Sequence, residues 1–275
     1  MMEQSEYVLQ VKGLKVSVET AAGILPLVED VHFDLKPGHV LGLVGGSGSG
    51  KTVTSLALLQ MLERQTSVIE GSIRLHNREL NGLPEKEMRG LRGSQLALIM
   101  QNPMTAFSPV YTIGVSMIEA IRTHSKLGKK EAREEAIRSM AGVNLPDPAA
   151  LLGKYPFELS GGMLQRVMLA LTMCLKPSVI IADEPTTALD VTNQLQVLRQ
   201  LDRMRQEHGT AILLISHDLG VIAELADEVA VMQQGRIVEQ AGCYEIFDHP
   251  RHEYTRELLA ARPTLQLSPQ PGSRL

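Results

Sequence analysis

The stretch Val40–Leu62, "VLGLVGGSGSGKTVTSLALLQML", decides how the chain folds. Its first five residues are apolar and read as a buried strand. From Lys51 onward the text reads as a helix packed on a sheet. Between them, Gly45–Thr52 fits G-x-x-x-x-G-K-[ST], in the strand–turn–helix context that this spacing requires. Gly45, Gly48 and Gly50 let the backbone turn, so that the amides of a loop also containing Gly46, Ser47 and Ser49 face phosphates. Lys51 adds a point charge for β- and γ-phosphates, and the Thr52 hydroxyl can ligand Mg²⁺.

Working outward, strands are expected at "YVLQVKG", "LKVSVE" and "VHFDL" before this stretch, and at "GSIRLHN" and "QLALIM" after it. From about 105 to 175 the texture becomes helical. In "KKEAREEAIRSMAG", Ala132, Ala136, Ile137 and Met140 fall on one face. The α/β pattern then resumes. The strand "SVIIAD" is followed by a helix with Val197, Leu198, Leu201 and Met204 on one side, then by the strand "AILLIS", the helix "GVIAELAD" and the strands "EVAVMQ" and "RIVEQ". Alternating strand and helix argues a mainly parallel sheet. The Pro- and Ser-rich end, 263–275, is expected to be a mobile tail.

Composition sets limits. The chain has 275 residues, 44% of them apolar, and a net charge of −4 with no basic stripe. It has no Trp and few aromatics, which argues against base stacking, so no nucleic-acid partner is expected. Cys174 and Cys243 are the only cysteines; they lack CxxC spacing and fit a reducing compartment. The first residues, "MMEQSEYVLQ", lack a signal-peptide pattern, and the longest apolar runs are too short to span a bilayer. A soluble chain is expected, with any membrane role carried by partners.

Two further stretches carry chemistry. "VIIADEPTTALD", Val179–Asp190, is an apolar strand ending in two carboxylates at the sheet edge where a nucleotide would sit. Asp183 would hold the metal, and Glu184 would stand by the attacking water as general base. In "LLISHD", His217 follows the next strand and is within reach of a γ-phosphate; in "IMQNP", Gln101 ends another strand and could bond the metal or the water. "YPFELSGGMLQRVMLA", Tyr155–Ala170, has Ser-Gly-Gly opening a helix, which is a second anion-binding pattern. "DHPRHE", Asp248–Glu253, offers two His and two acids, but Pro250 interrupts it and argues against a metal site.

Together these pieces resemble the ABC-type ATPases over about residues 7–261: "GGSGSGKT" looks like Walker A, "IMQNP" the Q-loop, "LSGGMLQR" the signature, "VIIADEP" Walker B, "TALD" the D-loop and "ISHD" the switch histidine. The resemblance implies a P-loop NTPase α/β fold, with a mainly parallel core sheet, an antiparallel β subdomain and a helical insertion. One ABC domain would fill 1–262. It implies ATP and Mg²⁺ as ligands. It also implies head-to-tail pairing, so that Ser160, Gly161, Gly162 and Gln165 touch the ATP held by a second subunit, with Asp190 of the D-loop nearby. Val18 stands near the usual adenine-stacking aromatic and could give only an apolar contact. Chromosome-maintenance ATPases share the signature but place long coiled coils before it, and translation-type factors carry two such domains.

The chain is similar to the ATPase subunits of nickel and peptide importers, through "QNPMTAFSP", "YPFELSGGMLQR", "IIADEPTTALDVT" and "HPRHEYTRELLAARP". Such subunits usually pair with a related second ATPase under two membrane permeases fed by an extracytoplasmic binding protein, at the cytoplasmic face of the inner membrane. Many peptide members carry a cysteine-rich segment, absent here, and often Arg or Ser where Leu164 stands. On those departures nickel or a metal chelate is the expected cargo, with di- or oligopeptides as the alternative.

Overall fold

The computed structural model describes residues 6–261 apart from 22, 64, 188 and 189. The expected tail, 263–275, and Ala188 and Leu189 of the D-loop text lie outside the described residues. The strands are β1 (Leu9–Thr20), β2 (Gly23–Leu35), β3 (Val40–Val44), β4 (Ser67–Leu75), β5 (Arg78–Glu79), β6 (Leu96–Ile99), β7 (Val179–Asp183), β8 (Ala211–Ile215), β9 (Glu228–Gln233) and β10 (Arg236–Gly242). The helices are α1 (Lys51–Leu58), α2 (Glu85–Leu91), α3 (Ile113–His124), α4 (Lys129–Gly142), α5 (Pro148–Leu151), α6 (Gly161–Leu175), α7 (Val191–His208), α8 (Leu219–Leu225), α9 (Cys243–Asp248) and α10 (Glu253–Ala260).

One sheet has the order β10-β9-β3-β8-β7-β6 and is parallel except for the β9–β10 hairpin. Because strand side chains alternate, it feeds two cores. Val40 and Val44 of β3, Ile180 and Ala182 of β7 and Ile212 and Leu214 of β8 face α6, α7 and α8. Leu41, Leu43, Val179, Ile181, Leu213 and Ile215 face α1 and the second sheet. Both faces are covered, which is why these strands read as unbroken apolar runs. The second sheet is antiparallel, in the order β2-β1-β4-β5. The α/β class with a parallel core and an antiparallel subdomain is thus the observed one.

Three expectations change in detail. "YVLQVKG" and "LKVSVE" form one strand, β1, with register irregularities on both sides around Gly13. The missing Cβ of Gly71 explains the close crossing there, since it would lie 2.3 Å from the Gly13 carbonyl oxygen. β2 begins at Gly23, well before the expected start; it is an edge strand, so Pro26 costs it no ladder bond. The helix expected over 51–62 stops at Leu58, where the Arg92 guanidinium takes the Leu59 and Gln60 carbonyls, each at 2.8 Å.

Candidate functional site

Four parallel strands deliver the candidate residues to one edge. Leu43 of β3 is level with Ile215 of β8, Ile215 with Asp183 of β7, and Ala182 with Ile99 of β6. The residues just past these ends are Gly45, His217, Glu184 and Gln101, which brings together text separated by more than a hundred positions. Gln101 is exposed there.

The glycine loop is set by clashes that any side chain would meet. A Cβ on Gly45 would stand 2.2 Å from the Met232 carbonyl oxygen. Gly50, at φ 107, would strike Leu27 O at 2.9 Å, and it opens α1 in a left-handed conformation that favours glycine. Lys51 folds back over the loop: its Nζ donates to Gly45 O at 2.8 Å, to Gly46 O at 2.9 Å and to Ser49 Oγ at 3.2 Å. Burial lowers the Lys51 pKa, and the charges of Glu184 and Asp183 oppose that shift. Burial likewise raises the Asp183 pKa, although hydrogen bonds from Thr52 and, at 3.5 Å, from Ser55 favour its charged form. A half-buried carboxylate beside a threonine hydroxyl is a hard-oxygen pair, so the residues present fit a Mg²⁺ ion.

Glu184 is held in a left-handed conformation, φ 52, and its amide donates to Ile215 O at 2.9 Å. Its Oε1 accepts the His217 amide at 2.9 Å and lies 2.8 Å from His217 Nδ1. Its Oε2 accepts the Thr187 hydroxyl at 2.9 Å. The carboxylate side chain is 13% exposed, whereas the His217 ring is 67% exposed. Thr187 and Ser55 were not singled out in the sequence, because a hydroxyl in a polar loop gives no signal of which carboxylate it meets.

Ser160 caps α6, its Oγ accepting the Met163 amide at 3.3 Å. Gly161 is exposed, and a Cβ there would meet nothing within 4 Å, so the start of the helix is open to an approaching surface. Two residues expected at the ATP of a second subunit make bonds within this chain. Gln165 is 2% exposed and donates to Pro185 O at 3.0 Å, so it ties α6 to the turn after β7 rather than facing outward. Asp190 uses both carboxylate oxygens to cap α7, accepting the Asn193 amide at 2.9 Å and the Asn193 side chain at 2.5 Å. Those bonds lower its pKa. Val18 is half-buried on β1, level with Leu25 and Ser67. The acids and histidines of "DHPRHE" form no metal-binding group among the described residues.

Comparison with known proteins follows the same lines. The ABC transporter family matches residues 28–187. The Bacillus subtilis (strain 168) dipeptide transport ATP-binding protein DppD is 43% identical over 264 residues, 96% of this chain and 79% of that protein. The Salmonella choleraesuis (strain SC-B67) glutathione import ATP-binding protein GsiA is 43% identical over 267 residues, which are 95% of this chain but 43% of that protein. Among solved structures, the dimeric post-hydrolysis state of the ATP-binding cassette MJ0796 with ADP and Pi matches with a TM-score of 0.77 at 22% identity, covering 86% of this chain and 98% of that one; it shows the shared fold. These relatives are named for dipeptide and glutathione, which favours the peptide alternative over the nickel expectation. Part of that expectation rested on Leu164, which is 0% exposed in α6. A side chain packed in the core reports on packing, not on cargo.

Proposed function

This chain belongs to the ABC transporter family, as the ATP-hydrolysing subunit of an importer, and we propose that the cargo of that importer is a short peptide. The observation that carries the catalytic part is the sheet edge where Lys51, Asp183, Glu184 and His217 converge. The relatives named for dipeptide and glutathione transport support the cargo class.

In this reading Lys51 leaves its loop carbonyls for the β- and γ-phosphates of ATP, and the amides of Ser47–Thr52 surround them. Thr52 and Asp183, assisted by Gln101, would hold Mg²⁺, which would supply neutralisation of the charge on the phosphate oxygens. The His217 ring swings from Glu184 towards the γ-phosphate, which removes its Nδ1 contact and leaves Oε1 with the His217 amide alone. Glu184 then takes a proton from the attacking water as the bond between the γ-phosphorus and the β–γ bridging oxygen breaks, giving ADP and phosphate. Val18 gives the base an apolar contact. Ser160, Gly161 and Gly162 close over the ATP of a second cassette, a related chain in a heterodimer, where the helix dipole favours negative charge.

Among the described residues no helix is long and apolar enough to cross a membrane. We place the chain at the cytoplasmic face of the inner membrane, beneath two permease subunits served by an extracytoplasmic binding protein. Val110, Tyr111 and Val115, exposed around the start of α3, suit the permease contact.

The test is transport by the complete importer reconstituted in vesicles, with a labelled dipeptide and with Ni²⁺. Peptide uptake that needs ATP is expected. Glu184→Gln should cut hydrolysis by about 10²–10⁴-fold, the usual worth of a general base, while ATP-dependent pairing survives. Uptake of Ni²⁺ alone would reverse the cargo reading, and undiminished hydrolysis in Glu184→Gln would remove Glu184 as the base.

A further inference from the structure

The segment "DHPRHEYT" is unused by the mechanism above, yet it reaches the phosphate loop. Glu239 of β10 accepts the Arg251 amide at 2.8 Å on one oxygen and the His252 amide at 2.9 Å on the other. His252 caps α10, its Nδ1 accepting the Tyr254 amide at 3.2 Å. Tyr254, Leu258 and Leu259 pack from α10 against the core that the parallel sheet shares with α6. So anchored, the Tyr254 hydroxyl accepts the Gly46 amide at 2.8 Å, across 208 positions of sequence.

The geometry points to Tyr254 as a positioning residue for ATP binding: its hydroxyl holds the Gly45–Gly46 peptide unit so that the phosphate loop is ordered before the nucleotide arrives. That one peptide unit is clamped at both polar ends. Its carbonyl accepts Lys51 Nζ at 2.8 Å and its N–H meets Tyr254 Oη. Two adjacent glycines leave the backbone unusually free, and fixing them costs entropy. When Lys51 turns to the phosphates, the carbonyl clamp is released and the Tyr254 clamp remains. The fit is mutual, since a Cβ on Gly46 would stand 3.0 Å from Tyr254 Oη. The hydroxyl contacts the loop and not the reacting atoms, so it acts on affinity and not on the chemical step.

This inference rests on the ATP-site reading, and the experiment separates the two. ATP affinity, KM and kcat are measured on the full chain for wild type, Tyr254→Phe, Gly46→Ala and the double variant, with unfolding midpoints taken without nucleotide. Tyr254→Phe should raise Kd and KM for ATP by about three- to tenfold, the range of one neutral hydrogen bond, with kcat within about twofold. Gly46→Ala should weaken ATP binding in the wild type but add little in Tyr254→Phe, where no hydroxyl is in its way. Tyr244→Phe, at a ring 72% exposed, should bind ATP as wild type does. Unchanged ATP affinity in Tyr254→Phe, even with a lowered unfolding midpoint, would reduce Tyr254 to packing and overturn the inference. Fully additive effects of the two substitutions would overturn it as well. A wild-type chain that bound no ATP would instead bring down the site reading itself, and this inference with it.

Discussion

The Cys174 thiol lies in α6 with its Sγ 2.9 Å from the Ser139 hydroxyl of α4. Burial pushes its pKa up to about 11 from an ordinary value of 9.0, even though the Ser139 hydrogen bond favours the thiolate. Only the thiolate attacks an alkylating agent, so at pH 8 Cys174 should react with iodoacetamide on the order of 100-fold more slowly than a free cysteine. Denaturant should restore the ordinary rate, and mass spectrometry of the labelled peptide reads both. A native rate equal to the unfolded one would mean that the α4–α6 contact opens easily. The sign for stability follows from the same shift. Below the unfolded-state pKa both states hold the proton and nothing changes. Between that value and about 11 only the unfolded thiol ionises, so the stability contribution is lost as pH rises through this window. Asp183 shows the opposite use of burial: its raised pKa marks a charge that the fold tolerates at a cost, beside Thr52, where a metal would relieve it.

The long helix α7 is attached to the sheet by one stripe, with Val197, Leu198, Leu201 and Met204 between 0% and 3% exposed. Leu201→Ala should therefore destabilise the protein by about 2–5 kcal/mol, the usual result of emptying a leucine site. The denaturation midpoint should fall with its slope unchanged. Leu195→Ala, on the exposed side of the same helix, should stay within about 0.5 kcal/mol. A large loss at Leu195 would mean that this face is covered. That stripe was legible in the sequence because a helix repeats its buried face every three or four residues. The same period marked Ala132, Ala136 and Met140 in α4, all 0% exposed. The start of β2 was illegible for a physical reason: as an edge strand it needs no continuous apolar face, and "GILP" carries a glycine and a proline. The end of α1 was hidden differently, since Arg92 stops it from 32 positions away.

At the scale of the molecule, the site divides into what a local motif can specify and what only folding can join. Gly45–Thr52, Asp183, Glu184 and His217 were legible because each lies at or just past a strand end, and parallel strands share one edge. Tyr254 over Gly46, Thr187 on Glu184 and Gln165 on Pro185 were not, because each bond joins a common polar group to a partner set by the packing. The open start of α6 belongs to neither class. Ser160 caps the helix, Gly161 faces open space, and the phosphate loop of this chain already has its amides and its lysine. A helix start of this kind, used on the ATP of a second cassette, makes a specific demand. Ser160→Arg should leave ATP binding to this chain within about twofold of wild type, because the residue is absent from its own phosphate loop. It should block ATP-driven pairing, because a long charged side chain would fill the space needed by the γ-phosphate of the other cassette. Hydrolysis by the assembled importer should fall with pairing. Pairing is best read by light scattering in a Glu184→Gln background, where ATP persists and the paired state accumulates. Loss of ATP binding in the isolated Ser160→Arg chain would mean that α6 serves its own nucleotide, and the shared-site reading would fail. Undiminished pairing would mean that the helix start lies away from the interface.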